Sequence, residues 1–156
     1  IDPLEERGEV SVRMGATEHL TARSIEVLHE ARKNPESWDE PDIVIEAVGH
    51  QMETLNDCLA LVKYRGTVLA FGVPDQNIYA LEYETFFRKN AHLVACVTPV
   101  WSEYLAISRD VFLSAREELE PMVTHRFPIR EAGKAFSTYE KHEDGIIKAL
   151  INMSDW

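Results

Sequence analysis

The stretch Asp42-Ile-Val-Ile-Glu-Ala-Val-Gly49 decides the fold class of this chain. It is a run of mostly β-branched, apolar residues that ends at a glycine, a pattern that favours a strand buried on both faces of a parallel sheet. Two more apolar runs follow it, at 66–71 and 92–97. We therefore predict three apolar strands, the first of them buried on both faces.

Helices are predicted between these strands. Apolar residues recur at helical spacing from 52 to 64, and a second helix is predicted over 82–90. Strand, helix, strand, helix and strand at steps of roughly 25 residues are typical of a parallel sheet with right-handed crossovers. The sequence therefore predicts an α/β fold.

The segments on either side of this unit carry weaker patterns. At the start we predict a helix over 3–14, with Asp2 as its N-cap and Glu5 as the capping-box partner. Further predicted elements are a strand at 18–20, helices over 21–33, from 101 for about fifteen residues and from 129 to 139, and strands at 122–127 and 146–151.

Composition limits the kind of protein this is. The 156 residues fit roughly one domain. With 27 acidic and 16 basic residues, the net charge of −11 argues against a nucleic-acid partner. No apolar run approaches the ~20 residues that span a bilayer, so no membrane partner is predicted. Cys58 and Cys96 lack metal-ligand spacing and are expected to be free thiols in a reducing cytoplasm.

The ends of the predicted strands are the candidate binding positions. In open parallel sheets, ligands bind beyond the carboxyl ends of the strands. Gly49 and Gly72 follow two of these strands, and a glycine there lets a ligand approach the backbone closely. The alternative interpretation is that both glycines only allow tight turns.

Asp2 also has two interpretations. An acidic residue that ends the second strand of a dinucleotide fold accepts hydrogen bonds from the adenosine ribose and repels a 2′-phosphate, which favours NAD over NADP. Alternatively, Asp2 only caps the first helix. Both roles are compatible, because a carboxylate has several lone pairs. No catalytic residue and no metal ligand is predicted in this chain.

Several segments together resemble the medium-chain dehydrogenases. The run 42–49, the helix 55–62 and Arg65-Gly-Thr-Val-Leu-Ala-Phe-Gly-Val-Pro74 are similar to their cofactor domain. Val123-Thr-His-Arg-Phe-Pro-Ile-Arg-Glu-Ala-Gly-Lys-Ala-Phe136 resembles the C-terminal segment of zinc-type polyol, threonine and alcohol dehydrogenases. Asp2, Arg7 and Met14-Gly-Ala16 match the family's acidic ribose ligand, its basic follower and its Gly-Ala turn. The resemblance covers about residues 1–151.

The resemblance implies a set of cofactor-binding residues. Asp2 would hold the adenosine ribose with Arg7 beside it, and Val94 and Cys96 would present backbone to the carboxamide. Lys148 would lie near the pyrophosphate. The remaining implied residues line the cofactor groove, with His50 near the adenosine and the last three under the nicotinamide ribose: Ala47, Val48, Gly49, His50, Phe71, Gly72 and Val73.

The resemblance also implies what this sequence lacks. The glycine-rich phosphate turn would stand about 20 residues before Asp2, and the sequence contains no Gly-x-Gly. We therefore expect a Rossmann-like parallel sheet with flanking helices that lacks its first strand and most of the second. Residues 1–98 would form a partial dinucleotide-binding domain. Residues 99–156 would pack back on a catalytic domain that supplies the zinc ligands.

The resulting hypothesis is the cofactor-binding part of an NAD-dependent, zinc-type alcohol dehydrogenase that acts on an alcohol or carbonyl substrate. The abrupt start is expected to be a cut, and the chain alone is expected to be inactive. The alternatives are a zinc-free NADPH quinone or enoyl reductase of the same superfamily and a non-catalytic nucleotide-binding subunit. The strand at 92–97 is expected to pair across a homodimer or homotetramer interface, since an apolar edge strand invites pairing.

Overall fold

Three parallel strands form the sheet that the sequence predicts. In the computed structural model, which describes residues 1–97 and 100–155, β1 (Ile43–Glu46), β2 (Thr67–Ala70) and β3 (His92–Ala95) lie side by side in that order. The strands are in parallel register, and Thr67 lies opposite both Ile43 and His92. The carboxyl ends of all three strands therefore lie at one edge of the sheet.

Helices connect the strands and provide the core. α2 (Ser24–Lys33) precedes β1, α3 (Met52–Leu61) joins β1 to β2, and α4 (Tyr83–Arg88) joins β2 to β3. α3 packs on β1 and β2, and α2 packs on α3. The most deeply buried side chains are Leu59, Val62 and Val68.

The expectation that the strand at 42–48 is buried on both faces is wrong. Val44 packs against the core, but Ile43 and Ile45 are 64% and 59% exposed. Every residue of β3 is exposed as well. Successive side chains of a strand point to opposite faces, and α3 covers only one face of β1. The apolar run predicted the strand correctly. It carried no information on whether other residues cover the second face of the strand.

A second parallel pair lies later in the chain. β4 (Val123–Pro128) and β5 (Lys148–Asn152) pair with a register irregularity near His125, and α7 (Ala132–Lys141) connects them. Phe127, Ala135 and Ile146 form the core of this pair. The sequence predicted both strands but not their pairing.

The remaining helices include two corrections. α1 (Glu6–Arg13) begins later than predicted, and Glu5 rather than Asp2 is its N-cap. Residues 18–20 form no strand, although the Leu20 carbonyl accepts a hydrogen bond from the Asp2 amide at 3.1 Å. The other elements are α5 (Trp101–Ser114), α6 (Arg116–Leu119) and the 3-10 turns Glu120–Met122, Ile129–Glu131 and Glu143–Gly145.

The described residues divide into two compact units. One comprises residues 22–97, and the other comprises residues 1–21 together with 100–155. The domain boundary predicted at residues 98 and 99 lies outside the described residues, so that division stays a prediction. Among the described residues, no helix combines the length and apolar character that crossing a membrane requires.

Candidate functional site

A buried carboxylate organises the carboxyl end of β1. Glu46 is the last residue of the strand and is only 5% exposed. Its Oε1 accepts hydrogen bonds from the backbone amides of Val48 and Gly49, both at 2.9 Å. The Thr54 hydroxyl, in the first turn of α3, donates to the same oxygen at 3.2 Å. These donors stabilise the charge and fix the turn that follows β1.

The same residue joins this turn to the one that follows β2. The backbone carbonyl of Glu46 accepts hydrogen bonds from the amides of Phe71 and Gly72, both at 2.9 Å. In return, the His50 amide donates to the Val73 carbonyl at 2.9 Å. The two turns are thus linked to each other and to β1, which makes them one rigid surface.

Gly49 and Gly72 are required where these turns meet. Gly49 has a φ of +65°, a left-handed conformation that favours glycine. A Cβ on Gly49 would lie 2.5 Å from the Val73 amide nitrogen, and a Cβ on Gly72 would lie 2.5 Å from Oε2 of Glu46. The close approach at both glycines is therefore made by the protein's own backbone and carboxylate, which accounts for both residues without a ligand.

Apolar side chains cover the solvent side of these turns, and we name this surface the strand-end shelf. It consists of Ala47, Val48, Phe71 and Val73, all exposed. Val48, Phe71 and Val73 are 60%, 58% and 67% exposed. An exposed apolar surface on a rigid backbone is suited to a flat ring system such as a nicotinamide. The shelf therefore fits the cofactor that the sequence implies.

His50 lies beside the shelf and is also exposed. Its φ of +54° is unusual for a residue with a side chain, and its amide bond to Val73 holds it there. The imidazole therefore extends from a fixed backbone position.

The segment that follows the shelf, residues 74–82, is hydrogen-bonded at its far end to Asn56 of α3. The Asn56 side chain donates to the Ala80 carbonyl at 3.0 Å and accepts from the Glu82 amide at 2.9 Å. Within the segment, the Tyr79 hydroxyl donates to Asp75 at 2.7 Å, and this hydrogen bond raises the pKa of the Tyr79 phenol. The segment is thus tied to the same helix that covers the sheet.

β3 and the residue that follows it offer fewer backbone groups to a ligand than the resemblance implies. Val94 and Cys96 are exposed, as a backbone contact with a ligand requires. However, the Cys96 amide already donates to the Ala70 carbonyl of β2 at 2.9 Å. Only the carbonyl of Cys96 remains for a ligand.

In the other unit, Asp2 and Arg7 form an ion pair. Nη1 of Arg7 donates to Oδ2 of Asp2 at 2.8 Å, and the Leu4 amide donates to Oδ1 at 2.9 Å. Both side chains are partly exposed, at 26% for Asp2 and 32% for Arg7. Each carboxylate oxygen therefore keeps a lone pair for a further donor.

Lys148 lies in the same unit as this pair, at the start of β5. Its side chain is exposed and makes no ion pair within the described part of the chain. A free ammonium of this kind is suited to an anionic group such as a pyrophosphate.

Neither of two cavities in the unit 22–97 is lined by a predicted site residue. A cavity of about 660 Å³ lies between α2 and the end of α3, beside Leu28, Trp38 and Lys63. Another of about 550 Å³ lies beside Tyr64 and Phe87. Within residues 1–97 and 100–155, no group of His, Cys, Asp and Glu side chains could hold a metal ion.

Burial and two nearby carboxylates alter one thiol of α3. Burial raises the pKa of Cys58 to about 12, and the carboxylates of Glu46 and Asp57 add to the shift. Asp57 is itself buried and accepts a hydrogen bond from the Ser24 hydroxyl at 2.6 Å. Cys58 is therefore an inert core thiol, whereas Cys96 is exposed.

Known dehydrogenases resemble this chain along almost its whole length. An alcohol dehydrogenase of Cupriavidus necator is 26% identical over 152 residues, which are 97% of this chain. The uncharacterized zinc-type alcohol dehydrogenase-like protein YdjJ of Escherichia coli is 24% identical over 156 residues. The solved alcohol dehydrogenase TADH of Thermus sp. ATN1 is 28% identical, with a TM-score of 0.72 over 96% of this chain.

At identities of 24% to 28%, these relatives support the resemblance to the medium-chain dehydrogenase/reductase superfamily. No protein-family model matches this chain. The chain spans only about two fifths of these relatives, 41% of the Cupriavidus necator enzyme and 43% of YdjJ and of TADH. The structure of a protein named short chain alcohol dehydrogenase (rspB), from Escherichia coli CFT073 in complex with NADH, shares the fold, with a TM-score of 0.77 at 17% identity over 97% of this chain and 43% of that one.

Sequence reasoning missed two residues that shape this surface. Glu46 had a signal, because it is the one carboxylate within an apolar run that leads to a glycine. Asn56 had none, since its partners Ala80 and Glu82 are 24 and 26 positions away. Only the fold brings them together.

Proposed function

We propose that this chain is the cofactor-binding part of an NAD-dependent alcohol dehydrogenase. The reaction would be hydride transfer between an alcohol and the nicotinamide cofactor. The observation that carries the proposal is the strand-end shelf, an exposed apolar surface at the carboxyl ends of two neighbouring parallel strands. Ligands of open parallel sheets bind at such ends. Relatives named alcohol dehydrogenases support the choice of reaction.

In this proposal, each candidate residue is assigned to one part of the cofactor. Ala47, Val48, Gly49 and His50 would line the cofactor groove, and Phe71, Gly72 and Val73 would lie under the nicotinamide ribose. The Cys96 carbonyl would contact the carboxamide, and Lys148 would contact the pyrophosphate. The Val94 backbone faces β2, as the amides of His92 and Cys96 on either side of it do, so it takes no part in this contact. The nicotinamide ring supplies the hydride acceptor when it is bound, and this chain's residues orient it and shield one of its faces from water.

The preference for NAD over NADP rests on Asp2. Its carboxylate would accept hydrogen bonds from the ribose hydroxyls and repel a 2′-phosphate. Arg7 is the residue that could attract that phosphate, but its guanidinium is paired with Asp2. The pair therefore holds this cation away from a phosphate, which favours NAD.

Catalysis itself would come from outside these 156 residues. We propose that a separate catalytic domain supplies a zinc ion that polarises the substrate oxygen. The name of YdjJ, a zinc-type alcohol dehydrogenase-like protein, supports a zinc enzyme. The segment 99–156 would pack on that domain through the exposed apolar side chains of α5, among them Trp101 and Leu105, 68% and 60% exposed.

We also propose that the protein is a homodimer or homotetramer that pairs through β3. This strand lies at one edge of the sheet, and Leu93 and Val94 are 37% and 45% exposed. The free thiols Cys58 and Cys96 suit a reducing cytoplasm.

The test is a cofactor titration and metal analysis of the full-length protein that contains this chain. Zinc together with NAD-dependent alcohol turnover would support the proposal. Turnover with NADPH in a zinc-free protein would favour a quinone or enoyl reductase. Cofactor binding without turnover on alcohols, aldehydes, quinones or enoyl substrates would identify a non-catalytic subunit.

A further inference from the structure

We propose that the buried carboxylate of Glu46 shifts the relative affinity of this site towards the oxidised, positively charged form of the nicotinamide cofactor and away from the reduced, neutral form. Glu46 thereby acts as a specificity-determining residue that does not itself touch the substrate. This inference rests on the proposed function, because it assumes that the strand-end shelf receives the nicotinamide end of the cofactor.

The first step is that the charge of Glu46 is not cancelled by a cation. The side chain is 5% exposed. Its partners are the Val48 and Gly49 amides and the Thr54 hydroxyl. Within the described part of the chain it forms no ion pair. Neutral donors stabilise a carboxylate but leave its net charge of minus one in place.

The second step is that this charge lies directly behind the shelf. Oε2 of Glu46 lies so close to Gly72 that a Cβ there would be only 2.5 Å away from it. Gly72 is flanked by Phe71 and Val73, two members of the shelf. The turn after β1, which carries Val48, is bonded to Oε1 of the same carboxylate. The two oxygens thus lie against the backbones of both turns.

The third step concerns screening. A charge that water does not surround acts over a longer distance than an exposed one, because the effective dielectric constant is lower. The oxidised nicotinamide ring carries a positive charge, and hydride addition neutralises it. A fixed negative charge behind the ring therefore stabilises the oxidised form selectively. Packing and hydrogen bonding by the shelf would act on both forms alike.

The experiment measures the dissociation constants of NAD⁺ and NADH for the full-length protein and its Glu46→Gln variant by calorimetry or fluorescence titration. Glutamine keeps the shape of the side chain and an acceptor oxygen but removes the charge. We expect the ratio of the NAD⁺ constant to the NADH constant to rise at least threefold. An unchanged ratio in a folded Glu46→Gln protein would overturn the proposal, even if both forms bound more weakly.

Asp57→Asn is the matched control. It neutralises another buried carboxylate of the same unit, which bonds Ser24 and not the two turns. Its ratio should stay within about twofold of the wild-type value. A shift as large as that of Glu46→Gln would also overturn the proposal, because any buried charge would then suffice.

Two further outcomes lead to different conclusions. If Glu46→Gln does not fold, Glu46→Asp decides, because it keeps the charge. Its ratio should match the wild type although both forms bind more weakly, and loss of the preference would contradict the proposal. If the wild-type protein binds neither form, the proposed function fails and this inference fails with it, a result distinct from binding with no effect of the charge.

Discussion

Gly49 and Gly72 lie back to back where the turns after β1 and β2 meet. A Cβ on Gly72 would clash with the amide nitrogen and Cα of Gly49, the latter at 2.6 Å. Gly49 follows Val48, and Gly72 lies between Phe71 and Val73. The contact between the two glycines therefore sets the position of the strand-end shelf. Any side chain at either position must push the two turns apart.

Gly72→Ala should therefore destabilise the protein by roughly 2 kcal/mol, the usual cost of overpacking a tight contact. A urea titration followed by circular dichroism measures the change. Gly133→Ala in α7 is the control, since a Cβ there meets nothing within 4 Å. It should leave stability unchanged or raise it by up to about 1 kcal/mol. Equal effects of the two variants would contradict the packing argument.

The two cysteines should differ in reactivity towards thiol reagents. Cys96 is exposed, whereas Cys58 is buried and its pKa is about 12. Only a thiolate reacts quickly, so the native protein should show one fast-reacting thiol near pH 8 and a second on unfolding. Cys96→Ser should remove the fast phase and Cys58→Ser should leave it. A fast phase that survives in Cys96→Ser would show that Cys58 is accessible.

Cys58 should also lower stability at alkaline pH. The thiol pKa is about 9.0 when the chain is unfolded and about 12 when it is folded. Its contribution is fully present below pH 9, and it is lost as the pH rises from about 9 towards 12, because only the unfolded state then releases the proton. The loss should approach about 1 kcal/mol per pH unit within this window. The measurement compares urea midpoints of the wild type and Cys58→Ala across that range, and parallel curves would refute the assignment.

Asp2→Ala should change cofactor preference in the full-length protein. It removes the carboxylate that we propose for the ribose hydroxyls and releases the guanidinium of Arg7, which is then free for a 2′-phosphate. NAD⁺ binding should weaken by about tenfold, and the discrimination against NADP⁺ should fall. The control is Glu9→Ala, an exposed acidic residue of α1. If preference is the same in both variants and the wild type, Asp2 has only a structural role.

Leu93→Lys should weaken self-association. The amides of His92 and Cys96 bond to carbonyls of β2, so the alternate residues Leu93 and Ala95 direct their amides to the free edge. A charge at such an edge opposes pairing with another strand. Analytical ultracentrifugation should show smaller species for Leu93→Lys. Ile78→Lys, at a residue 83% exposed in a loop, is the control and should keep the wild-type state. Identical distributions for both variants would place the interface elsewhere.

Local patterns predicted the elements of this chain well, and the misses have physical causes. Each of the apolar runs at 42–49, 66–71 and 92–97 contains one strand of the observed sheet. The short strand at 18–20 failed because three residues carry too little pattern to distinguish a strand from an extended segment. Asp2 was expected to cap α1, but its carboxylate pairs with Arg7 and the Leu4 amide instead. A side-chain pairing of that kind leaves no periodic signal.

The sequence by itself determined the α/β class and the superfamily resemblance, because hydrophobic periodicity and glycine placement are local properties of the chain. It also placed Gly49 and Gly72 at the ends of neighbouring strands. Only the tertiary structure decided why they are glycines, since the atoms that exclude a Cβ belong to the other turn and to Glu46. Contacts between segments more than 20 positions apart depend on how the sheet brings its strand ends together, and that arrangement is where the candidate site arises.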